Sequence, residues 1–130
     1  MTPTFNAISL TVADMAAALD FYRSLGLEIP PEMDKEPHAE ITLAGGLRLM
    51  WDDHDLITSF DPDFVPVERG TWGGLAFECA DPAEVDSTYA RMIEAGHTGH
   101  KPPWDAVWGM RYAVLHDPDG NNVDLYATIQ

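Results

Sequence analysis

Ile8-Ser9-Leu10-Thr11-Val12-Ala13-Asp14 and Leu75-Ala76-Phe77-Glu78-Cys79-Ala80-Asp81 share one pattern, 67 residues apart. Each alternates apolar and polar residues, as a half-buried strand does, and each reaches an aspartate suited to capping a helix. At the same offset Ala13 matches Ala80, Asp14 matches Asp81, Ala16 matches Ala83 and Tyr22 matches Tyr89. An amphipathic helix follows each strand. The first gathers Met15, Ala18, Leu19 and Tyr22 on one face and stops near Gly26. The second opens on Asp81-Pro82 with Glu84 in its first turn, then aligns Val85, Tyr89, Met92 and Ile93 before Gly96. Strand, cap, helix and glycine stop recur in the same order, which points to a duplicated module.

Strands are predicted over 38–43 and 46–51 in the first half, split by the turn Ala44-Gly45-Gly46. In the second half they fall at 111–116 and 122–127, split by Asp117-Pro118-Asp119-Gly120-Asn121. Each half therefore reads β-α-β-β, with room for a further strand after its helix. The Asp-Pro-Asp-Gly turn is a poor calcium loop, because its proline, early glycine and missing distal glutamate break that spacing. Two irregular stretches remain. Residues 52–72 join the halves as a flap or a plain linker. Residues 97–109, with His100-Lys101-Pro102-Pro103-Trp104 and Trp108-Gly109, cover either a sheet end or a ligand.

The 130 residues leave room for one compact domain or two half-size modules. A 45% hydrophobic, 22% charged composition is that of an ordinary globular chain. The only cysteine, Cys79, rules out an internal disulfide and fits a reducing cytoplasm. No apolar run has the roughly 20 residues of a membrane span, and the first residues lack a signal-peptide pattern. Seven Lys and Arg against 22 Asp and Glu give a net charge of −15. Such a chain repels phosphate backbones and anionic membranes, so neither nucleic acid nor a membrane is an expected partner. The acidity serves solubility, or attracts cations if carboxylates line a cavity.

Three stretches together resemble the vicinal oxygen chelate superfamily, the group of glyoxalases, bleomycin resistance proteins and extradiol dioxygenases. They are Ile8 to Asp14 running on to Phe21-Tyr22-Arg23-Ser24-Leu25-Gly26-Leu27, residues 75–96, and Trp108-Gly109-Met110-Arg111-Tyr112 running to the 117–121 turn. The resemblance implies an α+β fold of two βαβββ modules whose curved sheets enclose a cleft, usually in a homodimer. The expected modules are 4–52 and 73–130, with 53–72 between them.

Metal-dependent members bind a divalent ion through His, Gln or Glu at cleft-facing strand positions, and here the sequence departs from them. Those positions hold Ala7, Gly74 and, depending on register, Arg48 or Met50; only Asp124 keeps a carboxylate. A divalent site needs three or four converging donors, so no metal cofactor is expected. His38 and Glu40 share a strand face, but His54, His97 and His100 fall in loops and His116 ends a strand. No serine sits in a nucleophile elbow, and Cys79 shares the helix-facing parity of Leu75 and Phe77.

If the strand parities hold, the cleft is lined by Ala7 and Ser9, by Gly74 and Glu78, and by Asp124 and Tyr126. Trp104 and Trp108 are candidate covers, and Trp51 and Arg111 complete the candidate binding residues. Small residues with two carboxylates and an aromatic suit a cationic, partly flat ligand. Alternatively Glu78 and Asp124 pair with Arg48 or Arg111 as structure. The leading expectation is a metal-free protein that sequesters a small molecule such as an antibiotic. The competing one is a metal-dependent lyase, isomerase or dioxygenase using His38, Glu40 or His116. A partner-binding module is the third, without an apolar stripe to support it.

Overall fold

The computed structural model describes residues 2–66 and 74–130, so 67–72 of the expected connection and residue 73, the first of the expected second module, lie outside the described residues. The chain divides into two compact units, Met1–Pro66 and Val67–Gln130. The first runs β1 (Ala7–Val12), α1 (Met15–Ser24), a 3-10 turn (Pro31–Lys35), β2 (His38–Thr42), β3 (Arg48–Asp53) and α2 (His54–Phe60). The second runs β4 (Leu75–Glu78), α3 (Pro82–Glu94), β5 (Thr98–Ala106), β6 (Met110–His116) and β7 (Asn122–Thr128).

The repeated aspartates do what their position demands. Asp14 accepts a hydrogen bond from the Ala17 amide at 3.1 Å, and Asp81 accepts one from the Glu84 amide at 2.9 Å. Each satisfies an amide that the first helical turn leaves open. Both helices stop at glycines in the left-handed region, Gly26 at φ +104° and Gly96 at φ +95°. In each unit the first strand pairs parallel with the last: β1 with β3, β4 with β7. The sheet orders are β1-β3-β2 and β4-β7-β6-β5.

Helix and sheet close a separate core in each unit. Leu10, Val12, Leu49 and Trp51 meet Ala18, Leu19, Phe21 and Tyr22 in the first. Val123, Leu125, Ala127, Ala113 and Leu115 meet Val85 and Met92 in the second, while Ile93 is 40% exposed at the edge of its predicted face. Cys79 is buried as its parity predicts, and burial pushes its thiol up, the opposite of activation.

Three readings of the irregular stretches need correction. The room for a third strand after α1 holds the 3-10 turn instead. There Arg23 donates to the carbonyls of Ile29 at 2.8 Å and Pro30 at 2.9 Å and pairs with Asp34 at 2.9 Å, folding the segment back on α1. The connection begins with ordered structure, because Asp53 caps α2 by accepting from the Leu56 amide at 2.7 Å. Most of 97–109 is the edge strand β5, the further strand for which the second half has room after its helix, so His100 lies in a strand and not in a loop. Its register slips between Gly99 and Lys101 and between Lys101 and Trp104. An edge strand tolerates Pro102 and Pro103 at such bulges, since among the described residues no strand of its sheet pairs with its outer side and needs their missing N–H.

The 117–121 turn is a hairpin, as its residues imply. Asp117, 3% exposed, accepts from the Asp119 amide at 3.0 Å and from the Asn121 amide and side chain, each at 2.9 Å. The smallness of Gly74 has a local cause besides cleft volume. A Cβ there would run into the Asn122 carbonyl. Gly74→Ala is expected to cost the second unit about 1–3 kcal/mol by prising β4 from β7, read as a lower urea midpoint. An unchanged midpoint would mean the strands have slack.

Candidate functional site

Period-2 parity sorts each strand into a helix-facing and an open side, and cross-strand register joins the open sides into rows. In the second unit one row runs Trp104, Tyr112, Tyr126, Glu78, and the next runs Lys101, Val114, Asp124, Ala76. Four rings cluster here. Trp104, Trp108 and Tyr112 meet edge to face at centroid separations of 5.5–6.1 Å. Tyr126 lies 6.3 Å from Tyr112, nearly parallel at 26°. Trp108 remains 56% exposed in the turn after β5, so its indole is available to a ligand.

Charge is built into this wall. Tyr112 Oη donates to Asp124 Oδ2, and burial together with that bond pushes the phenol up to about 12. Tyr112 is therefore a neutral donor across the physiological range, and its hydroxyl ties the Asp124 side chain down beside the rings. Lys101 Nζ sits 4.2 Å from the Trp104 ring centre, so this face already carries one cation–π contact.

Of the residues singled out in sequence, Trp104, Trp108, Asp124 and Tyr126 come together, with Glu78 in their row. Two do not belong. Arg111 has the opposite parity to Tyr112 and points to the helix side, where it donates to Asp86 of α3 at 2.9 Å and to Asp105 at 3.1 Å. Trp51 pairs with Leu10, lies 5.7 Å from Tyr22 and is 0% exposed, so it is core. The charge partners of Arg111 described in its own unit are Asp86 and Asp105 rather than Glu78 or Asp124, and in the first unit Arg48 bonds Glu40 at 3.1 Å. Tyr112 and Lys101 were missed. The hairpin turn was the available signal, since counting outward from it sets Tyr112 opposite Tyr126.

Ala7 and Ser9 belong to the first unit, on the open side of β1, and there the structure shows a polar chain that the sequence left scattered. Ser9 Oγ donates to Asp52 Oδ2 at 2.7 Å. His38 Nδ1 bonds Asp52 Oδ1 at 2.6 Å, and His38 Nε2 bonds Glu40 Oε1 at 2.9 Å. Arg48 Nη1 donates to Glu40 Oε2 at 3.1 Å. The shared face of His38 and Glu40 was legible; Asp52, placed at the head of the connection, was not. Bonds to Glu40 and then Asp52 raise the His38 pKa above its ordinary value, and His38 and Arg48 hold the Glu40 carboxyl below its own. Stability from the bonded imidazolium is complete below the ordinary histidine value and fades as pH rises through the raised one.

The family model for the Glyoxalase/Bleomycin resistance protein/Dioxygenase superfamily matches residues 4–125. The chain belongs to this superfamily. An uncharacterized protein of Mycobacterium bovis is 30% identical over 122 residues, spanning 89% of this chain and 78% of that relative. Among solved superfamily structures, a glyoxalase/bleomycin resistance protein/dioxygenase from Nocardioides is 25% identical at TM-score 0.75, covering 100% of this chain and 86% of its own. A family enzyme from Burkholderia phytofirmans PsJN reaches TM-score 0.81 at 19% identity, covering 98% and 100%. The α+β fold read from the repeat is the superfamily's fold.

The positions where the resemblance expects metal ligands can be followed within each unit. Ala7 stands opposite Arg48 in the β1–β3 register, Gly74 has no room for a side chain, and Asp124 is engaged by Tyr112. Among the described residues no three His, Cys, Asp or Glu converge as a metal requires. His38 offers its two nitrogens to carboxylates on opposite sides of its ring, Asp52 and Glu40. Nor does any described helix have the length and apolarity to cross a membrane.

Proposed function

We propose that this superfamily member binds a small cationic, partly aromatic molecule on the open face of the second unit, without a catalytic metal. The observation that carries the reading is the aromatic wall of Trp104, Trp108, Tyr112 and Tyr126 with Asp124 bonded into it. Rings supply flat apolar contact and a negative π face, and the carboxylate supplies charge that a neutral aromatic cannot use. The net charge of −15 gives the same preference at long range and makes anionic ligands poor candidates. Sequestration of an antibiotic-like cation in the cytoplasm, by a homodimer, is the physiological form of this proposal.

N-methylquinolinium and neutral quinoline form a matched probe pair for titration followed by tryptophan fluorescence. The cation is expected to bind at least about tenfold more tightly, with affinity falling as salt rises. Trp104→Leu should remove most of the quenching. Equal binding of both probes would refute the electrostatic half of the proposal, and binding by neither would refute it whole.

A further inference from the structure

The first unit holds a second constellation that the ligand-binding reading does not use. Asp52 is 9% exposed and takes hydrogen bonds from two directions, Ser9 on Oδ2 and His38 on Oδ1. A carboxylate pinned in this way fixes the imidazole ring with a proton on Nδ1. The Glu40 bond at Nε2 protonates the resting ring on both nitrogens, and the proton on Nε2 is the one lost first. The other nitrogen, Nε2, faces the half-exposed end of the chain, where the His38 and Glu40 side chains are 39% and 36% exposed. Glu40 rests there between two cations, His38 at 2.9 Å and Arg48 at 3.1 Å. The order Ser9–Asp52–His38 is not that of a nucleophilic triad. The serine lies beyond the aspartate, so His38 cannot take its proton. What remains is an oriented imidazole with a guanidinium nearby and no nucleophile.

We propose that His38 is a metal-independent acid–base catalyst acting through Nε2 on small uncharged molecules with an acidic C–H bond, with Glu40 as a latch over Nε2 and Arg48 as the partner of the oxyanion that forms. As pH rises, Nε2 first gives its proton to solvent, which ends its bond to the Glu40 carboxylate and leaves the site open to substrate. The Nε2 lone pair then takes the C–H proton, the C–H electron pair moves into the substrate, and negative charge collects on an oxygen beside Arg48. Atoms and electrons balance without oxidant, reductant or metal. The charged and polar groups around the ring are Glu40 on its own strand, Asp52 and Arg48 on β3, and Ser9 on β1. The 3-10 turn against β2 adds Glu32, Asp34 and Lys35, of which Asp34 is engaged by Arg23.

The test uses the full chain and 5-nitrobenzisoxazole, an uncharged C–H acid. Loss of its proton forms the nitrile, breaks the N–O bond and releases a coloured phenolate. The wild type is expected to exceed an equal concentration of free imidazole by about tenfold or more. Its rate should rise with pH, with the midpoint at which nitrogen-15 NMR sees His38 lose its proton, above the ordinary value near 6.5. Glu40→Ala should lower both midpoints together and raise the rate severalfold, a gain that unfolding cannot mimic. Asp52→Asn should favour the tautomer that protonates Nε2 and cut the rate about tenfold or more, as should His38→Gln. The proposal is overturned by a wild-type rate no better than imidazole, by His38→Gln keeping most of the rate, or by a slower Glu40→Ala. The aromatic face of the second unit plays no part, so cation binding and proton abstraction stand or fall separately.

Discussion

Trp51→Ala is expected to destabilise the first unit by about 4 kcal/mol, while Trp51→Phe should cost about 1 kcal/mol or less. The first figure follows from removing a wholly buried aromatic that β3 presents to α1 against Tyr22; aromatic-to-alanine changes in cores cost about 3–5 kcal/mol. The second follows from an oddity of the same residue. Its indole Nε1 is buried and has no hydrogen-bond partner among the described residues. An orphaned donor of this kind costs about 1–3 kcal/mol, so phenylalanine loses packing volume but relieves the orphan. Urea unfolding of both variants measures the contrast. Equal losses would show that the N–H is satisfied after all. Trp51→Phe should also leave cation binding untouched, because the side chain faces away from the open sheet.

Trp51 also shows where sequence reading stops. Its parity was available: Trp51 alternates with Met50 and Asp52, and Leu49 and Trp51 share the face that meets the first helix. An aromatic at a strand end still attracts a ligand reading unless that parity is enforced. The repeated cap, helix and glycine stop were legible because each depends on local backbone chemistry that a few residues dictate. The β6–β7 register was legible too, since a short turn fixes which residues face each other. Tertiary joins were not. Nothing near Ser9 announces Asp52, 43 residues away, as the acceptor of its hydroxyl proton. Antiparallel pairing of β2 with β3 sets His38 beside Asp52 and brings Glu40 to Arg48, and parallel pairing of β1 with β3, which sets Thr11 beside Asp52, adds Ser9 to complete a chain of five scattered polar residues. Arg111 failed for the mirror reason. Its charge suggested a ligand partner, whereas one residue of parity delivers it to Asp86 on α3.

Asp124→Asn is expected to weaken N-methylquinolinium binding by about tenfold, roughly 1.4 kcal/mol, and to flatten its salt dependence. The substitution is nearly isosteric, and its carbonyl oxygen can still accept the Tyr112 hydroxyl, so the ring wall keeps its shape. What disappears is one negative charge beside the aromatic rings. At a separation of about 4 Å and the screening of a protein surface, such a charge is worth about 1–4 kcal/mol to a bound cation. Tyr112 supplies an internal control. Its phenol stands at about 12 through burial first and Asp124 second, so removing the charge should lower that value only part of the way toward 10. Ultraviolet titration of the phenolate reads this directly. A cation affinity that drops with a lowered Tyr112 pKa assigns the loss to charge. A drop with Tyr112 unmoved would mean that Asp124 does not act electrostatically on this face, and unchanged affinity would leave the rings alone to hold the ligand. Tyr112→Phe separates the remaining contribution. It frees Asp124 from its hydroxyl while preserving the ring, so cation binding should hold steady or tighten, whereas a ligand recognised through the phenol would be lost.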